Sequence, residues 1–383
     1  MRRSLPTALL ALSALLVPAS ALAQHGSPAV ARPALDKPAI EKSVLPDAPP
    51  WAADLDRRVR AIDARYAGDI GVYVHHIGRE ESWGFRADET WYLASGVKVP
   101  VAIAVMREIE QGWLTLDTRV TLQATDFVDG AGQTNAHRAG TRLPISYLIE
   151  QMIIYSDNTA TDVLIRTVGL GQVNAVASEL IAAEGVQITS LADVRRRAYG
   201  MLHSGAAGLS SADLLALQRA GTGRARVDKL ADLLAVRRAD FLLPDLDSAF
   251  ESYYATHANS ASLRDYGRML VALQTGQALD PDSTRYLLGV MTRVQTGRQR
   301  IRAGLPNGAT FAHKTGTQYR RLCDSGIVTL PSTAGADPAR VVIAACVRGA
   351  AGTVGERALR DLGAAVTASG VFSQPDPATM PRR

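Results

Sequence analysis

Only two of the 383 residues are cysteine, Cys323 and Cys346, and no H-E-x-x-H occurs. With neither that motif nor a cysteine–histidine cluster, nothing marks a zinc hydrolase, and no metal or cofactor is expected. His75 and His76 are neighbours on a strand-like run, so they point to opposite faces and cannot share an ion. G-x-S-x-G is absent too, and with it the signature of an α/β-hydrolase esterase. Aromatic residues make up 5% of the chain, and Lys and Arg are dispersed apart from Arg195-Arg196-Arg197 and Arg320-Arg321. A nucleic-acid partner needs a basic stripe interleaved with stacking aromatics, and none is expected. No stretch reaches about 18 apolar residues, so no membrane span is expected. Internal repeats are missing as well.

What is present begins with a leader. Arg2 and Arg3 precede an apolar run from Leu5 to Val17, and Ala21-Leu22-Ala23 fits a small-x-small cleavage site. Residues 1–23 are read as a signal peptide, and the protein as secreted or periplasmic. Residues 24–50 carry six prolines and read as a linker. The catalytic domain is expected over 51–383. The net charge of +5 falls to +3 when Arg2 and Arg3 leave, too mild to dictate a partner. Cys323 and Cys346 suit an oxidising compartment, either as a disulfide or as two buried thiols.

Periodicity orders the rest. Residues 54–66 place Leu55, Val59 and Ile62 on one helical face. Ile70–Ile77 and Ser82–Arg86 read as a hairpin. A mostly helical stretch runs from about 95 to 300, with an inserted segment over about 193–250. Thr310–Gln318, Gly326–Leu330 and Arg340–Val347 read as strands, and Val354–Ser369 as a closing helix. Neither β group suffices as a sheet alone. The economical fold is α/β of the α+β kind: one antiparallel sheet built from both chain ends, flanked by helices, with a helical domain beside it.

Three short motifs carry chemistry. Ser95-Gly96-Val97-Lys98 opens an apolar helix, so Lys98 shares a face with Ser95. A lysine stripped of water there loses basicity and can serve the serine as general base. The pattern also fits a serine N-cap followed by a solvated lysine. Ser156-Asp157-Asn158 falls between two apolar runs, where Asn158 can both donate to and accept from an amide. It serves equally as a turn and helix cap. Lys314-Thr315-Gly316-Thr317 lies in a strand, with Thr315 and Thr317 on the face opposite Lys314. That set suits a carboxylate, and it also reads as an ordinary strand edge.

In this order the three motifs resemble the site of the penicillin-recognising serine hydrolases, and most closely the class A β-lactamases. The resemblance implies that Ser95 is the nucleophile, Lys98 its base and Ser156 the proton shuttle. It implies that Asn158 holds the acyl side-chain amide, and that Lys314, Thr315, Gly316 and Thr317 bind substrate. Backbone N–H groups of Ser95 and Thr317 would form the oxyanion hole. The expected function is β-lactam ring opening through a Ser95 acyl-enzyme. The alternatives are a D,D-peptidase-like hydrolase acting on cell-wall peptides and a β-lactam-binding sensor without turnover. A small-molecule β-lactam or a cell-wall peptide is the expected partner, and a monomer the expected state.

Two departures stand out. The class A glutamate that activates the deacylating water has no counterpart after Ile188: judged from Leu191, its position holds an arginine. Glu251 is the substitute expected from the segment before Asn259, with Asp193 as a weaker one. Secondly, Arg320 or Arg321 is the expected cation for the substrate carboxylate, and Asp324 either anchors that arginine or caps a turn. His313 is expected to be structural.

Overall fold

The computed structural model describes residues 48–181, 186–331 and 337–373. The expected leader and the linker up to residue 47 lie outside them. The first element, α1 (Pro50–Arg65), starts on a proline, whose missing N–H costs nothing at that position. It buries Trp51, Leu55, Val59 and Ile62. Strands β1 (Asp69–His76) and β2 (Glu81–Phe85) form the hairpin, and β3 (Thr90–Tyr92) leads into a 3-10 turn, Ala94–Val97. Then come α2 (Lys98–Glu110), β4 (Arg119–Thr121), β5 (Arg142–Pro144), α3 (Ile145–Ile154), α4 (Asn158–Val168), α5 (Leu170–Ile181) and α6 (Leu191–Gly200). The next elements are α7 (Ser211–Arg219), α8 (Gly223–Leu234), α9 (Leu246–Tyr254), β6 (Ser260–Ser262), α10 (Leu263–Gln274) and α11 (Pro281–Met291). Strands β7 (Thr310–Gln318), β8 (Arg321–Leu330) and β9 (Ala339–Arg348) follow, and α12 (Gly352–Ala368) closes the described chain.

The sheet order is β2-β1-β9-β8-β7, antiparallel throughout, so the N-terminal hairpin docks on the C-terminal strands. Strand alternation then divides the core. Val341, Ile343, Ala345 and Val347 of β9 face α1 and α12, while Val342, Ala344 and Cys346 face the helical side. Covering both faces explains why β9 reads as a continuous apolar run instead of an alternating one. Strand β8 begins at Arg321, five residues before the expected Gly326. Its early part, Cys323-Asp324-Ser325, is polar in sequence yet buried, because β7 and β9 pair with it on both sides. Cys323 and Cys346 are register partners on β8 and β9 and form a disulfide. Among the described residues no helix is long and apolar enough to cross a membrane.

The stretch read as an insertion carries α6 to α9. It is tied to the connection between β4 and β5: Ser211 Oγ donates to Thr125 O at 2.8 Å, and Gln218 Nε2 approaches Gly130 O at 3.5 Å.

Candidate active site

Ser95 sits in the Ala94–Val97 turn, half-buried, and the chain runs straight from it into α2. Ala94 holds a left-handed φ of 49°, an arrangement a non-glycine residue adopts only where the surroundings enforce it. Two contacts enforce it here. The Tyr266 hydroxyl donates to Gly96 O at 2.9 Å, and β7 presses on the turn so closely that a Cβ on Gly316 would lie 2.4 Å from Leu93 O. Gly316 is therefore required by the Ser95 turn itself.

The first nine residues of α2, Lys98 to Met106, are all buried. Lys98 Nζ donates to Ser156 O at 2.7 Å, Asn158 Oδ1 at 2.7 Å and Ser156 Oγ at 3.2 Å. All three acceptors are neutral. Burial brings the Lys98 ammonium down to about 7; Asp157 and Asp162 resist the shift, and Arg195 adds to it.

Ser156 lies between α3 and α4 with φ 62°, again left-handed. Asp157 caps α4, accepting from Ala160 N at 2.9 Å and from Thr134 N at 2.9 Å, so the tripeptide does serve as a helix cap. Asn158 Nδ2 donates to Asp129 O at 2.6 Å, so both ends of its amide are fixed. From β7, Lys314 Nζ donates to Ser156 Oγ at 3.0 Å and to Thr315 O at 2.9 Å. Lys314 is fully buried, and that burial, with Lys98 and Arg300 nearby, holds its pKa well below the usual lysine range. The Ser156 hydroxyl thus stands between two buried amines.

Thr315 and Thr317 point to the other face of β7, as alternation requires. Thr315 Oγ1 meets Thr296 Oγ1 at 2.5 Å, and Thr317 Oγ1 accepts from Arg300 Nη2 at 2.7 Å. Arg300 also donates to Gly316 O at 2.9 Å and Cys323 O at 3.0 Å. It is the guanidinium at this strand. Arg320 instead donates to Gly349 O at 2.5 Å, and Arg321 to Glu251 at 2.7 and 3.0 Å. Asp324 neither anchors an arginine nor caps a turn: it lies mid-strand, with Oδ1 2.7 Å from His313 Nδ1, and both residues are fully buried. The register that sets Asp324 opposite Thr315 puts both side chains on one face of β7, the face that carries His313 and Thr317.

The acids divide differently. Glu251, on α9, is half-exposed and held by Arg321; no hydrogen bond joins it to Ser95, Lys98, Ser156 or Lys314. Asp193 pairs with Arg196 at 3.0 Å. The position judged from Leu191 is Arg195, whose Nε donates to Asp129 Oδ1 at 2.7 Å and Oδ2 at 2.9 Å. Burial alone would weaken the charge on Arg195, but the Asp129 carboxylate holds its pKa above the ordinary arginine value. Asp162, one turn into α4, accepts from Leu191 N at 2.6 Å and Ala192 N at 2.9 Å and so fixes the start of α6. Burial pushes its carboxyl up to about 7. An acid beside Val163-Leu164-Ile165 was a readable signal for Asp162, whereas Asp129 and Arg300 lie in stretches with no motif.

Comparison with known proteins follows the same lines. A family model described as the β-lactamase enzyme family matches residues 54–369. A β-lactamase of Mycobacterium tuberculosis is 29% identical over 328 residues, covering 85% of this chain and 84% of that protein. One from Streptomyces albus G is 26% identical over 290 residues, 74% of each chain. Among solved structures, PBP-A superposes with a TM-score of 0.62 at 22% identity, covering 85% of this chain and 98% of that one. A β-lactamase from Xanthomonas campestris pv. campestris gives a TM-score of 0.60 at 20% identity, covering 83% and 98%. At these identities the structures speak for the fold.

Proposed function

The chain belongs to the β-lactamase enzyme family, and on that premise we propose that it opens β-lactam rings through an acyl-enzyme on Ser95. Lys98, in its free-amine form, takes the Ser95 hydroxyl proton as the oxygen attacks the lactam carbonyl. The N–H groups of Ser95 and Thr317 receive the oxyanion. When the C–N bond breaks, the ring nitrogen takes a proton from Ser156 Oγ, which is resupplied from Lys98 Nζ at 3.2 Å. The product is a Ser95 ester with the base free again. Lys314, Arg300, Thr315 and Thr317 hold the ring carboxylate, Gly316 leaves room for it, and Asn158 holds the acyl side-chain amide. The observation that carries this reading is the Ser156 hydroxyl placed 3.0 Å from Lys314 Nζ and 3.2 Å from Lys98 Nζ, with no carboxylate bound to either amine among the described residues.

Water must then cleave the ester. Glu251, the acid expected for that step, is held by Arg321, so we propose that deacylation proceeds without it and is the slow half. Export is part of the proposal, supported by the leader pattern in residues 1–23 and by the Cys323–Cys346 disulfide.

A second reading rests on Arg195. A guanidinium is no general base, and with one in the acid's place the acyl-enzyme persists. The protein then acts as a penicillin-binding peptidase or as a sensor without turnover. Intact-mass spectrometry over time with benzylpenicillin separates the readings. An adduct that appears and decays while hydrolysed drug accumulates supports the lactamase. A lasting adduct supports the second reading. Labelling of Ser95→Ala would remove Ser95 from the mechanism.

A further inference from the structure

Arg195 uses only part of its hydrogen-bonding capacity. Its single Nε–H is shared between the two Asp129 oxygens, and among the described residues no acceptor meets Nη1 or Nη2. Four N–H donors therefore remain on a guanidinium that is 15% exposed. Donors left open in so enclosed a place are costly unless a ligand or water takes them. Two neighbours are in the same condition. The Tyr319 hydroxyl and Arg226 Nε are both buried and without a partner among the described residues. Tyr319 lies within electrostatic reach of both Arg195 and Arg226, and Tyr199 does as well. All these open groups can donate.

The location is bounded on two sides. Asp129, which grips Arg195, gives its backbone oxygen to Asn158 Nδ2. Tyr319 follows Thr317 by two residues at the end of β7. Arg195 also acts electrostatically on Lys98. The open donors thus belong to the cleft beyond Asn158, on the acyl side of the bond to be cut. Lys314 and Arg300 stand at the other end, where the ring carboxylate goes. In the ion pair Asp129 is the negative partner and takes only Nε–H, which leaves Nη1 and Nη2 of the cation without an acceptor among the described residues.

We infer that Arg195 binds a carboxylate on the acyl side chain of the substrate, assisted by Tyr319 and Arg226, so that acyl donors acidic on that side are preferred. This rests on the acyl-enzyme reading above. A planar guanidinium with both terminal nitrogens free matches a carboxylate in two-point fashion. It also gives the arginine at the acid's position a positive use.

Three penicillins that differ at one carbon test it: benzylpenicillin, carbenicillin with an added carboxylate, and ampicillin with an added ammonium. The readout is the second-order rate of Ser95 acylation by intact mass. Wild type should favour carbenicillin over benzylpenicillin by about tenfold, the ~1.4 kcal/mol scale of one charge-assisted hydrogen bond, and place ampicillin last. In Asp129→Asn/Arg195→Gln, which removes both charges together and leaves no lone buried carboxylate, the ratio should fall to about one. The wild-type series decides by itself should the variant fail to fold. A ratio at or below one in wild type, or a ratio unchanged in the variant, overturns the inference and leaves the acyl-enzyme reading standing. No labelling by any of the three overturns both.

Discussion

Lys98 and Arg195 are two cations withdrawn from water within one site, and their surroundings send them opposite ways. Among the described residues Lys98 bonds to neutral oxygens alone, and burial takes it to about 7, where half of it is a free amine. Arg195 meets a carboxylate with both oxygens on Nε and stays charged. Desolvation is common to both: the lysine, without a directly bonded anion, becomes a base, while the arginine, intrinsically the stronger base, keeps its charge with a carboxylate upon it. The same contrast separates the two halves of the proposed reaction. The acylation half has its nucleophile turn, base and proton relay assembled. The deacylation half has a guanidinium where the resemblance expects an acid.

Removing the base should break this comparison most severely. Lys98→Met is expected to lower Ser95 acylation by about 10²–10⁴-fold, the usual range for a positioned general base. The wild-type rate should also depend on pH with a definite sign. The base is the unprotonated amine, so acylation rises as pH passes upward through about 7 and levels off above it. Stopped-flow or quenched mass measurements from pH 5.5 to 8.5 give the profile. A flat profile, or a Lys98→Met rate close to wild type, would move the base elsewhere.

A smaller effect is expected from making the two halves alike. Arg195→Glu combined with Asp129→Asn installs an acid on α6 and removes the neighbour that would repel it. Because Asp162 fixes the start of α6 through Leu191 N and Ala192 N, the new carboxylate is carried on an anchored helix. The benzylpenicillin acyl-enzyme should decay about tenfold faster, below the ~10²–10⁴-fold of a fully positioned general base, while the acylation step keeps its machinery. Decay unchanged or slower would mean that position 195 does not face the ester carbonyl.

Legibility in the sequence followed the same division. The acylation residues belong to compact motifs, and local rules placed them: a serine and lysine on one helical turn, a polar tripeptide between apolar runs, alternation along β7. The expected bounds of β7, Thr310–Gln318, are those observed. Whatever depended on register or on contacts across loops was hidden. Asp324 reaches His313 only because β7 and β8 pair with Thr315 opposite Asp324, and the disulfide depends on Cys323 falling opposite Cys346. Asp129 meets Arg195 across 66 residues of chain with no motif at the Asp129 end. Arg300 lies outside any motif yet donates to Gly316 O and Thr317 Oγ1, whereas Arg320 and Arg321 adjoin the motif in sequence. Arg320 has a left-handed φ of 47°, and the chain turns there, sending both arginines to other partners.

The smallest effect is expected at Glu251, and it sharpens the comparison by asking whether the deacylation half contains a hidden acid. Both Glu251 oxygens are engaged by Arg321, which also lies over the Tyr254 ring, 4.4 Å from its centroid. Glu251→Gln loses one partly exposed ion pair, worth about 0–1 kcal/mol, so the melting temperature should change little. With the carboxylate committed to Arg321, decay of the Ser95 ester should change less than about twofold, a span equal to a few tenths of a kcal/mol. The decay rate is the decisive readout, since a role in stability alone does not move it. A slowing of tenfold or more would show that the pair with Arg321 opens during turnover and that Glu251 activates the water. The contrast between Lys98 and Arg195 would then describe the resting enzyme only, with α9 supplying the acid that α6 lacks.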